Sequence, residues 1–106
     1  MSIFQILSKE EEQKFISPPK FDSFAKNYFF KLNNEVLEII TEMKSDSNKI
    51  LFILMFGYFK VSNRFFEINQ DDENGLYVFN RNNFKEFDLS KISSRTIQRY
   101  KHIIKL

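Results

Sequence analysis

The chain has 106 residues and no cysteine, which excludes disulfides, thiolate metal sites and thiol catalysis. Its 42% hydrophobic and 28% charged residues exclude a disordered chain, and the length suits one domain, residues 1–106, around a single modest core. The net charge of +2 hides an asymmetry: the last 16 residues carry 5 basic side chains and no acidic one, so residues 1–90 are net −3 and the remainder +5.

Only two Gly and two Pro favour helices joined by polar loops over a sheet of many short strands. Ser8-Lys9-Glu10-Glu11 has the capping-box pattern and predicts a short helix to about Ile16, stopped by Ser17-Pro18-Pro19. Phe21, Phe24 and Tyr28 recur at helical spacing, predicting a second helix over residues 22–29. Asn33 can cap a third, with Val36, Leu37, Ile40 and Met43 on its apolar face and Glu35, Glu38 and Glu42 largely on its wet side.

Asp46 or Ser47 can open a fourth helix, running to about Val61 and apolar on almost every side from Ile50 to Phe59. Such a helix is expected at the centre of a bundle. Gly57 within it costs about 1 kcal/mol against Ala, which points to a neighbour approaching closely. The apolar run, residues 50–59, is half the length of about twenty residues that a membrane span needs. The opening residues, densely charged from Lys9 to Lys14, do not resemble a signal peptide, so a cytoplasmic location is expected.

Residues 69–75 read as a polar loop holding Asp71, Asp72 and Glu73. Residues 76–87 are open between a fifth helix, with Leu76, Val78, Phe79 and Phe84 facing the core, and a short strand at 76–79. The final helix is clearer. Ser93 or Ser94 caps it, Ile97, Tyr100, Ile103 and Ile104 make its buried stripe, and Arg95, Arg99 and His102 share an outer face.

Catalytic chemistry finds little support. His102 is the single histidine, with no acidic partner close in sequence, and reads first as a solvated side chain. The acidic trio lacks the spacing of a calcium loop, no phosphate-binding glycine loop is present, and neither metal nor cofactor is expected. Most aromatic residues sit at core spacing; Phe65-Phe66, beside Arg64, is the pair that reads as a candidate for exposure.

An amphipathic helix that is basic outside and aliphatic inside can bind DNA, bind an acidic membrane or be simply solvated. Here the aliphatic side is needed to seal a small core, which disfavours a membrane. Arg95 and Arg99 suit guanine edges, Gln98 suits adenine, and Lys101 and Lys105 suit phosphates.

The order of motifs resembles the amino-terminal region of the replicative transposases of class II (Tn-three-type) transposons. The resemblance rests on Leu7-Ser8-Lys9-Glu10-Glu11, the step from Tyr28-Phe29 to Leu32, Asn48-Lys49-Ile50-Leu51-Phe52 leading through Gly57-Tyr58-Phe59 to Arg64-Phe65, and Ser94-Arg95-Thr96 with Arg99. It runs from about Leu7 to the end of the chain. Leu51, Ile53 and Met55 depart from the family's frequent Gly, Ala and Gln, Ser62-Asn63 replaces a frequent Pro-Gly turn, and Tyr100 stands where a His is usual.

The resemblance implies an all-α domain that recognises terminal inverted repeats of a mobile element, as the N-terminal piece of a longer bacterial, nucleoid-associated protein. The family's acidic catalytic core lies far downstream, so this chain is not expected to be an enzyme. The expected architecture is a compact bundle of about five or six helices with a helix-turn-helix-like C-terminal recognition helix. Arg95 and Arg99 are the expected base contacts, supported by Ser94, Thr96, Gln98, Lys101, His102 and Lys105, with Lys49, Lys60 and Arg64 touching flanking DNA backbone. Double-stranded DNA is the expected partner, beside the rest of the transposase or another subunit. The alternative is a protein–protein interaction module working through exposed Phe65, Phe66 or Tyr77.

Overall fold

The computed structural model describes residues 20–106, so the helix expected over residues 8–16, with its Ser8 cap, lies outside the described residues. Among the described residues the protein is all-helical: α1 Ser23–Phe29, α2 Asn34–Thr41, α3 Asp46–Ser62, α4 Glu73–Arg81 and α5 Ser94–Lys105, with a single 3-10 turn at Leu89–Lys91.

Each helix starts on a short polar side chain that takes up one of the N–H groups a first turn leaves unpaired. Asp22 accepts from the Ala25 N–H at 2.8 Å, Asn33 from Val36 at 2.9 Å, Asp72 from Gly75 at 2.9 Å and Ser93 from Thr96 at 3.2 Å. The central helix opens one residue earlier than expected, on Ser45, whose hydroxyl accepts from the Asn48 N–H at 3.1 Å. Asp46 and Ser47 are thereby freed for other partners. At the far end, Asn63 adopts the left-handed conformation (φ 57°) and its N–H donates to the Phe59 carbonyl at 2.7 Å. Asparagine is the usual substitute for glycine in such a cap, so Ser62-Asn63 can end a helix as a Pro-Gly turn would.

α3 is the hub. Ile50, Phe52, Leu54 and Tyr58 are fully enclosed, and each helix–helix contact of any extent among the described residues includes α3. Burial of side chains this size contributes about 1.5–3 kcal/mol each, so most of the cohesion passes through this one element. Gly57 is buried because α1 ends against it: a Cβ there would meet the Phe30 ring at 2.5 Å and the Phe29 carbonyl oxygen at 3.0 Å. The close neighbour expected from sequence is Phe30.

Three expectations change. Phe24 and Tyr28 lie on α1 as the spacing indicates, yet both are exposed, and the helix has no fully buried residue. Phe21 and Phe30, which flank α1, do its packing, with ring centroids 5.8 Å from Tyr58 in each case. The segment after residue 75 is helix and not strand, and Leu76 points outward because a start at Glu73 turns Asn74, Gly75 and Val78 inward. The acidic trio is not a plain solvated loop. Asp72 caps α4, and both its carboxylate oxygens accept from the Tyr58 hydroxyl at 2.9 Å. Asn74 donates to the same hydroxyl at 2.9 Å, so the enclosed phenol is satisfied as donor and acceptor. Burial, aided by the neighbouring Asp72 charge, pushes the Tyr58 pKa well above its ordinary value, against the opposing Asn74 hydrogen bond.

The path from α4 to α5 is long and held by side chains. Asp46 accepts from the Lys85 N–H at 2.8 Å, and Ser47, itself enclosed, accepts from Asp88 N–H at 2.8 Å and donates to Glu86 at 3.2 Å. The Gln70 amide accepts from the Leu89 N–H at 2.7 Å and donates to the Phe87 carbonyl. The start of α5 is thus set by polar groups from α3 and from the loop before α4.

Candidate nucleic-acid interface

α5 carries a sharp division between its two sides. Tyr100 is the anchor, 1% exposed, with its ring edge-on to Phe52 at 5.5 Å and its hydroxyl accepting from the Asn48 amide at 2.9 Å. Ile97, Ile103 and Ile104 pack beside it, half-buried. On the other side Ser94, Arg95, Gln98, Arg99, His102 and Lys105 are all exposed. Residues 95, 99 and 102, spaced by four and three, share a face, and residues 94, 98 and 105 flank it.

Thr96, Lys101 and Lys105, all assigned to this surface, also have partners within the fold. Thr96 is half-buried, and its hydroxyl shares a hydrogen bond of 3.0 Å with that of Ser93, inside the helix cap. Lys101 is half-buried too, and its ammonium, like that of Lys105, lies 5.7 Å from the centre of the Phe65 ring. Phe65 in turn stacks on Phe59 at 4.8 Å. This brings Arg64, adjacent to Phe65 in the chain and exposed, to the same end of α5 as Lys101 and Lys105. Lys60 lies over Phe56 instead, at 5.4 Å, and Lys49 is half-buried near the start of α3.

No side chain of the outer face joins an ion pair among the described residues. Among the described residues the one ion pair, at 3.3 Å, joins Lys91 and Glu86, ahead of the helix; Arg95 and Arg99 are in none. Arg99 borders a groove between α2 and α5 that Glu38, Glu42 and Lys44 also line, and its guanidinium sits 5.8 Å over the Tyr100 ring. Arg95 stands clear of that groove. Phe65 and Phe66, expected to be candidates for exposure, are packed against the core; Phe66 meets Tyr58 edge-on at 5.9 Å.

Among the described residues no group of three or more His, Asp or Glu side chains could hold a metal ion, and no helix is long and apolar enough to cross a membrane.

Residues 6–106 match the family model described as a domain of unknown function, DUF4158. The chain belongs to that family. No curated protein and no solved structure matches it. The DUF4158 match spans all five described helices, so α5 and its cationic face are part of the family domain and not an appendage to it.

Sequence reasoning missed the side chains that aim the helix. Gln70 and Asn48 carry no motif, and their roles depend on partners 19 and 52 residues away along the chain. It also missed the exposure of Phe24 and Tyr28. The available signal was the shortness of the segment, since a two-turn helix between Pro19 and Asn33 has few positions that can reach a core.

Proposed function

We propose that the chain binds double-stranded DNA through the outer face of α5, as the leading domain of a longer transposase that recognises the terminal inverted repeats of a mobile element. The single observation that carries this reading is the run of exposed Arg95, Gln98, Arg99, His102 and Lys105 on a helix whose opposite side is sealed into the core by Tyr100. Helix stability accounts for only part of that pattern: His102 and Lys105 lie in the last turn, where a cation is favoured, and Arg95 does not. A cation in the first turn of a helix opposes the positive end of the macrodipole, so Arg95 sits where it costs the helix about 0.3–1 kcal/mol. An α-helix fits the major groove, where paired guanidinium N–H groups match guanine and a glutamine amide matches adenine.

Arg95 and Arg99 are the base-reading residues in this proposal, with Gln98 beside them. Lys105, Lys101, His102 and Ser94 grip phosphates, and Arg64 extends the backbone contact past the end of the helix. Lys49 and Lys60 contribute on the flank, while Thr96 acts chiefly through the cap. A compact helix-turn-helix joins its helices by about 3–4 residues, whereas Arg81 and Ser94 are separated by residues 82–93. The likeness to that motif therefore concerns a single presented helix, aimed by the side-chain ties on the path before it.

The test is a titration of wild type, Arg95→Ala and Lys105→Ala on duplexes taken from the ends of the mobile element and on scrambled duplexes, at two salt concentrations. Arg95→Ala should lose preference for the end sequence, and Lys105→Ala should weaken both duplexes alike. Equal losses for both variants on both duplexes would reject the division of roles. The rival reading, a module contacting another subunit through Phe65, Phe66 or Tyr77, has less support, because the first two are engaged with Phe59 and Tyr58.

A further inference from the structure

We propose that the surface shared by α1 and the end of α4 is a second nucleic-acid site, a stacking platform for unpaired bases of single-stranded DNA. Phe24 and Tyr28 stand one turn apart on the same face of α1, 79% and 62% exposed. Neither ring belongs to the core or packs against it among the described residues. The Tyr28 ring is braced by Phe29, edge-on at 4.9 Å, which restricts it without covering it.

The surroundings of these rings are cationic. Phe24, Asn27, Tyr28, Lys31 and Arg81 line one shallow depression, and no carboxylate among the described residues lines it. Beside it, the Tyr77 ring carries Lys26 at 5.5 Å and Arg81 at 6.0 Å, and its hydroxyl donates to the Asn27 amide oxygen at 3.2 Å. That bond fixes the amide and leaves its two N–H donors without an acceptor among the described residues.

Aromatic faces interleaved with Lys and Arg are the recognition chemistry of single strands, in which bases stack on rings while cations follow the phosphates. A duplex keeps its base faces stacked inside and would meet only the cations. An apolar protein partner would have to desolvate Lys31 and Arg81 with nothing to offset them. A polyanion supplies that compensation. The platform goes beyond the duplex-reading proposal and is physically separate from it, since α1 and α4 pack on α3 and make no extensive contact with α5.

The experiment titrates a labelled oligothymidylate with the full 106-residue chain at low salt and follows fluorescence anisotropy, with the transposon-end duplex as a parallel probe. Phe24→Ala and Tyr28→Ala should each weaken single-strand binding by roughly tenfold, with duplex affinity unchanged. Phe24→Tyr and Tyr28→Phe should retain it, and Arg81→Glu should weaken it in a salt-dependent way. Arg95→Ala should show the opposite pattern, so failure of the duplex reading and failure of the platform appear on different probes. The alanine positions are exposed, and unchanged melting curves would establish that the variants fold. Absence of oligothymidylate binding, or wild-type binding by both alanine variants, overturns the proposal. Concentration-dependent self-association abolished by the same variants, without single-strand binding, overturns it in favour of a protein contact.

Discussion

The side-chain amide of Asn48 donates to the Tyr100 hydroxyl at 2.9 Å, joining the first turn of α3 to the middle of α5. Tyr100 is the most enclosed residue of the last helix. Tyr100→Phe should cost about 0.5–1.5 kcal/mol, the net worth of one neutral hydrogen bond, and Tyr100→Ala about 3–5 kcal/mol through loss of the ring. Urea unfolding curves would show both. A value near zero for the alanine variant would mean that α5 is not held through this residue.

Gly57→Ala separates helix propensity from packing. Propensity alone favours alanine by about 1 kcal/mol, yet the new Cβ would lie 2.5 Å from the Phe30 ring and 3.0 Å from the Phe29 carbonyl oxygen. Overpacking of this kind costs about 1–3 kcal/mol, so net destabilisation is expected, and shrinking the ring in Gly57→Ala/Phe30→Leu should recover part of it. A double-mutant cycle on the unfolding free energies measures the coupling.

Stability should decline at alkaline pH through Tyr58. Its pKa is raised in the folded state, so the native protein keeps a proton that the unfolded chain has lost above the ordinary value of 10.0. The contribution is complete below that pH and falls away as pH rises beyond it. Tyr58→Phe, though less stable at neutral pH because Asp72 and Asn74 lose their shared partner, should show a shallower decline above pH 10. Unfolding midpoints measured from neutral pH upward would decide, and parallel curves would exclude the assignment.

Glu38 and Glu42 share a groove with Arg99 and oppose any polyanion laid along α5. Glu38→Gln and Glu42→Gln should therefore strengthen duplex binding severalfold at low salt, with the gain fading as salt rises. Lys105→Ala should lower the slope of log affinity against log salt by about one. Both are read from the same anisotropy titrations.

Much of the fold was written locally. Asn33 and Ser93 are legible as caps because a short polar side chain before an apolar-periodic run has one main physical use, and residues 50–59 are legible as a core helix from continuous apolarity. The division of α5 into an isoleucine-and-tyrosine side and a cationic side follows from spacing alone. What spacing could not convey was phase in the short segments. Leu76 looked like core, but a helix start at Glu73 rotates it outward, and that start depends on Asp72 being held by Tyr58 from another helix. The ties from Asp46, Ser47 and Gln70 to residues 85–89 lie beyond any local pattern.

The segregation on α5 also bears on how the domain can change. Because Tyr100 and the isoleucines bury the opposite side of that helix, Arg95, Gln98 and His102 on its water-facing side make no side-chain hydrogen bond or ion pair among the described residues. Surface substitutions of that sort usually alter stability by less than about 0.5 kcal/mol. New outward chemistry can accumulate there one residue at a time while the scaffold beneath stays as it is.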